Sequence, residues 1–406
     1  MRFVQPTVVM VLHGNFRHSE WPFGSMRQAL SQGWYRQLLS SIQVPTELSY
    51  QGEDVLFLDI ADRKSLTEID RNPLISVTPG FQTHMLASSF PQLRRAQIEI
   101  TLKVLAKYIP RKKLSWVHCW PEMDVSSLGI TDFLATVGSE GGILSLKDLN
   151  CSYEYWPEDQ DTRKPLKDEI ILCNGVPVFV AEASEMRSVY LRMHRNETTP
   201  QDFVYEMRRC LAASKHNLVI FFTDLEVPLI NHVNGVPQLD KWVEFQKILR
   251  LAEKSGIRFA HFNDIKEGLH LMAMDAPVAT IDERDSLKWH GRDPEQTRII
   301  DTIYKEIAEA LGYCSDPVDA LPFVVSDTFS AQTVQRMDFS VLESPGSNQV
   351  TNHIVIQPDT KRRMDEFHNL LEMAKAGKLG TVGDDHTRWH SEIVQEAHLR
   401  TKEIVS

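Results

Sequence analysis

The chain has 406 residues, enough to bury a large core as one large domain with an extension or as two to three smaller ones. Hydrophobic residues make up 42% and charged residues 24%, an ordinary globular balance, and the net charge of −11 argues against a surface that grips nucleic-acid backbone or an anionic membrane. The five cysteines are odd in number and widely spaced, with no Cys-x-x-Cys pair, which argues against a disulfide framework or a zinc knuckle.

In chain order, short apolar runs predict strands over residues 7–12, 74–77, 114–118, 142–144, 176–180, 218–222 and 258–261. Between them, helical spacing predicts helices over 26–42, 93–108, 128–137, 201–212 and 239–254. Such alternation calls for an α/β fold with a largely parallel sheet, and about seven repeats with acidic residues or histidines at strand ends favour a barrel, (β/α)7-type, over residues 1–292. No Gly-x-Gly-x-x-Gly follows the first strand, so a dinucleotide domain loses its main support, and no phosphate loop or Gly-x-Ser-x-Gly elbow occurs. Residues 150–170 are expected as a rim excursion carrying Tyr153, Tyr155 and Trp156. From 293 to 406 the expectation is a mostly helical C-terminal region packed on the barrel, with helices over 294–311, 360–376 and 387–405 and an irregular stretch over 315–358. The first apolar run is too short for a signal-peptide core and no run reaches transmembrane length, so the expected location is cytoplasmic.

Two of the strand runs stop at a carboxylate. The run from Leu114 leads to Trp120, Pro121 and Glu122, and the run from Leu218 ends at Asp224 with Glu226 two residues on. Side chains at the C-terminal ends of parallel strands meet across one face of a barrel, so Glu122 and Asp224 can be neighbours in space. Two carboxyl groups so placed can break a glycosidic bond, one protonating the leaving oxygen and the other attacking the anomeric carbon. The competing reading of each is structural: Glu122 exposed at the helix after Pro121, and Asp224 capping the helix after its strand. His13 ends the first strand as either a sugar contact or a satisfied core histidine. Trp120, Trp289 and Trp21 offer flat faces for sugar rings or ordinary packing. His13, His84, Asp224 and His232 lack the close spacing that marks a metal site.

With these residues in view, the chain resembles glycoside hydrolase family 57, the family of α-amylase-like and 4-α-glucanotransferase enzymes with a seven-stranded (β/α) barrel. Five short motifs carry the likeness. The family's His-Gln-Pro reads His13-Gly14-Asn15 here, keeping only the histidine. Its Gly-Gln-x-Glu is matched weakly by Ala96-Gln97-Ile98-Glu99. Its Trp-x-Pro-Glu is approached by Trp120-Pro121-Glu122, one residue shorter, and its Asp-x-Glu is met by Asp224-Leu225-Glu226, with His232 and Gly235 following. Its Trp-Gly segment is resembled by Trp289-His290-Gly291.

The resemblance implies an α-glucan hydrolase or glucanotransferase that retains configuration, with Glu122 as nucleophile and Asp224 as acid/base. His13, Trp120, Glu226, His232, Trp289 and His290 would bind substrate, an oligo- or polysaccharide. No cofactor, metal, nucleic acid or membrane partner is implied. Two rivals stay open: a metal-dependent deacetylase or mannosidase-like enzyme on a related barrel, and a catalytically silent carbohydrate-binding relative.

Overall fold

The computed structural model describes residues 2–14, 16, 29–83, 91–119, 134–135, 138, 141–145, 169–173, 175–181, 184–225, 227–229, 238–273, 294–324, 365–379 and 392–406. The chain runs β1 (Thr7–His13), α1 (Trp34–Ser40), β2 (Thr46–Tyr50), α2 (Gly52–Ala61), α3 (Arg63–Arg71), β3 (Ile75–Pro79), α4 (Pro91–Tyr108), β4 (Val117–Cys119), β5 (Gly142–Ser145), β6 (Glu169–Cys173) and β7 (Val176–Ala181). It continues through α5 (Ser184–His194), α6 (Pro200–Ala213), β8 (Leu218–Asp224), α7 (Leu239–Lys254), β9 (Arg258–Phe259), α8 (Phe262–Met272), α9 (Pro294–Gly312), α10 (Pro317–Ala320) and α11 (Glu392–Val405). Residues 365–375 are also helical.

The strands form the wall of a barrel. Hydrogen bonding joins β3-β2-β1-β8 in one parallel sheet and β4-β5-β7 in another, with β6 antiparallel on the outer edge of β7. A parallel bridge between Val77 and Leu114, with the Ser115 amide donating to the Val77 carbonyl at 2.8 Å, ties β3 to the approach of β4. The order β8-β1-β2-β3-β4-β5-β7 is therefore one run of seven parallel strands. This is the expected (β/α)7 arrangement. The short β9 pairs with Thr7 and Val8 of β1, below the point at Met10 where β2 takes over.

Continuous β-branched and aromatic runs form β1 and β8, since a parallel strand is covered on both faces. Thr7 to His13 are all buried. Phe221 meets Tyr190 of α5 at 5.5 Å and Phe203 of α6 at 4.9 Å between ring centroids, so its face of β8 is the outer, helix-covered one. By alternation, Phe222 and Asp224 face the barrel interior, and register carries Val11, His13, Glu47 and Ser49 with them.

The helices follow local rules. Thr199 and Asp202 make a reciprocal capping box at the start of α6, with Pro200 in its first turn, and Phe203, Met207 and Leu211 form its buried stripe. The helix expected over 26–42 is interrupted at Gly33, whose φ of 71° is left-handed, and α1 starts only after it. The strand expected over 258–261 stops at Phe259, because the Asp264 carboxylate accepts the His261 amide at 3.1 Å and starts α8. The strand expected over 114–118 begins at Val117 instead. Three elements of the first hundred residues, β2, α2 and α3, were not among the expected ones, nor were β6, α5 and α8.

The C-terminal helices share the barrel's hydrophobic core, which includes Ile303, Ile307, Phe323, Phe367 and Val394. α11 lies on α2 and α4 through polar contacts. Arg400 pairs with Asp59, which also accepts the Tyr108 hydroxyl at 3.0 Å, and Asp319 pairs with His398 at 3.2 Å and Lys402 at 2.6 Å. No helix among the described residues is long and apolar enough to cross a membrane.

Candidate active site

The interior face of the barrel changes character along its length. Near the strand starts it is apolar, with Val9 beside Ile220. One layer up it mixes Val11 and Phe222 with the fully buried Glu47. At the C-terminal end, register places His13, Ser49, Thr78 and Asp224 side by side across four adjacent strands. Barrel chemistry sits at this end of the strands, where the loops converge.

His13 is fully buried, with its ring 6.0 Å from that of Phe222. Its carbonyl accepts the Leu225 amide at 2.7 Å, which locks the end of β1 to the turn after Asp224. The Asp224 side chain is 24% exposed. Its Oδ2 lies 2.6 Å from Nη2 of Arg187, a residue on the first turns of α5 that is 22% exposed. Sequence reasoning missed Arg187, and no motif marks it.

Gly14 follows His13 for a local reason. A Cβ there would stand 2.8 Å from Cδ1 of Tyr50, 2.9 Å from its Cε1 and 3.3 Å from Oδ2 of Asp54. Tyr50 is fully buried and its hydroxyl meets that of Tyr35. Burial and the nearby Asp54 carboxylate push the Tyr50 phenol well above its ordinary pKa, so it stays neutral. Asp54 accepts the amides of Phe16 and Gln51, both at 3.0 Å. With its amide nitrogen turned toward Asp54, Gln51 also donates to Asp54 Oδ2 at 2.7 Å and to the Gly14 carbonyl at 3.1 Å. Asp54 thus fastens the loop after β1. The pattern Gln51-x-x-Asp54 ahead of an apolar helix was a readable sign of it.

Glu47 is the second carboxyl group that sequence reasoning missed. It accepts the Thr78 hydroxyl at 3.3 Å, the Ser115 hydroxyl at 3.0 Å and the Phe262 amide at 2.8 Å, and His261 Nδ1 lies 3.5 Å away. Gln97, in the weakly matched second motif, makes a buried pair with Thr83, accepting the Thr83 amide and donating to its hydroxyl at 3.0 Å each.

Of the residues named from sequence, His13 and Asp224 are brought together. Glu122, Trp120, Glu226, His232, Trp289 and His290 lie outside the described residues, as do Trp21, His84, Tyr153, Tyr155 and Trp156.

No family model matches the chain, and no curated protein sequence does. Solved structures match it along nearly its whole length. A GH57 branching enzyme from the archaeon Thermococcus kodakaraensis, in complex with glucose, superimposes with a TM-score of 0.56 at 13% identity, over 98% of this chain and 95% of that one. The GH57-type branching enzyme of Pyrococcus horikoshii gives 0.52 at 14% identity, over 98% and 94%. The chain has the glycoside hydrolase family 57 fold. The 4-α-glucanotransferase of Thermococcus litoralis gives 0.53 at 10% identity, over 92% of this chain and 60% of that one. Within the family 57 fold, the His13–Asp224 layer occupies the strand-end position where the barrel architecture collects its chemistry.

Proposed function

We propose that the protein is a retaining glycosidase or glucanotransferase acting on α-linked oligo- or polysaccharide, with Glu122 as nucleophile and Asp224 as acid/base. The observation that carries this reading is the pairing of His13 with Asp224 at the interior C-terminal mouth of a family 57 barrel. In the first half-reaction the Glu122 carboxylate attacks the anomeric carbon while the glycosidic C–O bond breaks. The leaving oxygen takes the proton from Asp224. In the second, the Asp224 carboxylate takes a proton from water or an acceptor hydroxyl, whose oxygen displaces Glu122 with a second inversion. His13, Trp120, Glu226, His232, Trp289 and His290 would hold the sugar, and the helical region over 293–406 would brace the barrel from outside.

The Arg187 cation against Asp224 favours this reading over a metal centre, because a guanidinium at 2.6 Å competes with a divalent ion for the same oxygen. The test is turnover of a panel of α-glucans by the wild type and by the Glu122→Gln and Asp224→Asn variants. NMR of the first-formed anomer reports stereochemistry. Retention, with turnover reduced at least about a thousandfold in both variants, is expected for residues acting in the bond-breaking step. Wild-type rates in either variant remove that residue from the mechanism.

A further inference from the structure

We infer that Arg187 is a positioning residue that holds Asp224 in its carboxylate form at rest, so that the site is poised for the base half of the reaction and limited by leaving-group protonation. This rests on the acid/base reading of Asp224 given above. Three observations support it. The contact is a single charge-assisted bond, Arg187 Nη2 to Asp224 Oδ2 at 2.6 Å. Both side chains are about three-quarters buried, where screening by water is reduced. The Arg187 Nε is buried and has no hydrogen-bond partner among the described residues, so Asp224 is the anchor of its guanidinium there.

Among the described residues, the groups facing Asp224 from the elements packed on β8 are Arg187 from α5 and His13 from β1, while α6 meets β8 on its outer face through Phe203. A neighbouring guanidinium favours the charged carboxylate, typically by one to three pH units for a close pair, and partial exposure brings the expected effect to about one. A carboxylate accepts a proton from water or an acceptor sugar, but it cannot donate one to a departing glycosyl oxygen. Arg187 therefore opposes the acid step and favours the base step. Arg187 holds Asp224 through one nitrogen, and α5, which carries it, follows β7 in the chain.

The test follows the Asp224 carboxyl titration directly, by the 13Cγ shift of protein labelled with [13C]aspartate, the signal being assigned by its loss in Asp224→Asn. Arg187→Met and Arg187→Gln should each raise the midpoint by about one pH unit, and Arg187→Lys should stay near the wild type. An unchanged midpoint in Arg187→Met or Arg187→Gln overturns the inference whether or not the protein turns over a glycan. Where turnover is found, the basic limb of kcat/KM needs protonated Asp224 and should move up by the same interval in Arg187→Met. An unmoved basic limb also overturns it. Absence of turnover on every glycan tested counts against the glycosidase reading, and the carboxyl titration still decides the role of Arg187.

Discussion

Substituting Gly14 with alanine tests the packing behind His13. An alanine Cβ would sit 2.8 and 2.9 Å from two ring carbons of Tyr50, against an ordinary carbon–carbon contact of about 3.5–4.0 Å. The ring has little room to yield. Tyr50 is fully buried, its hydroxyl is bonded to Tyr35, and Phe16 packs against it with centroids 6.0 Å apart. Overfilling a tight core typically costs about 1–3 kcal/mol. Gly14→Ala should therefore lower the melting temperature by a few degrees in differential scanning fluorimetry and calorimetry. Tyr50→Ala removes the two clashing ring atoms, so adding Gly14→Ala to that background should cost at least about 1 kcal/mol less than in the wild type. Additive effects, or a neutral Gly14→Ala, would refute the packing account. The same logic predicts that Gly14→Gln, which restores the family's own residue at this position, destabilises the chain instead of improving its activity.

The contact between α11 and α10 should be acid-sensitive. Burial raises the Asp319 carboxyl, but bonds from His398 and Lys402 outweigh it and hold the group below its ordinary pKa. A depressed carboxylate adds stability that is fully present above its unfolded value of about 3.9 and is lost as the pH falls through its folded value. Melting curves of wild type and Asp319→Asn should therefore differ at pH 6 and draw together progressively as the pH falls from about 3.9 through the lower folded value. A difference that persists unchanged at lower pH would rule the ion pairs out as its cause. Cys210 and Cys314 should be poorly reactive. Burial, aided by Glu206 and Glu185 for Cys210 and by Asp319 for Cys314, pushes both thiols up to about 12. Residue-resolved mass spectrometry after iodoacetamide treatment at pH 8 should find both labelled far more slowly than a free thiol, and rapid labelling of either would contradict its described setting.

What could be read from sequence depended on how each element is buried. β1 and β8 declare themselves because both faces are covered and the chain responds with unbroken apolar runs. β2 was missed because two of its interior positions are Glu47 and Ser49, which interrupt such a run. Its period-two alternation from Thr46 to Tyr50 was nevertheless present. α2 was missed for the opposite reason. Residues Gly52 through Leu58 are all buried, between the sheet and α11, so no one-sided stripe exists to detect. α5 did carry a stripe, in Met186, Val189, Tyr190 and Met193, and its absence from the expected elements was an oversight of pattern, not of physics. Asp224 was legible as the carboxylate closing an apolar strand. Arg187 was not, since its partner lies 37 residues away and only the docking of α5 beside β8 brings the two together.

Three carboxyl groups lie at the C-terminal end of the strands or one layer below it, Asp54, Glu47 and Asp224, and their surroundings separate them by role. Asp54 and Glu47 are buried and each is spent on donors of the protein itself: two amides for Asp54, and two hydroxyls and an amide for Glu47. Asp224 alone of the three is part exposed, and it is bonded to the Arg187 side chain. Chemistry on a ligand needs an oxygen that the ligand can reach, so Glu47 ties β2 to β3, to the approach of β4 and to the first residue of α8 instead of reacting. Glu47→Gln tests this. The amide keeps the shape but turns an NH2 group toward hydrogens donated by Thr78, Ser115 or Phe262, leaving at least one buried donor unmet at about 1–3 kcal/mol. The expected result is a lower melting temperature with the remaining folded protein still turning over substrate. A Glu47→Gln protein of full stability and no turnover would show the reverse, a carboxyl group kept for chemistry, and would move the second carboxylate of the mechanism from Glu122 to Glu47.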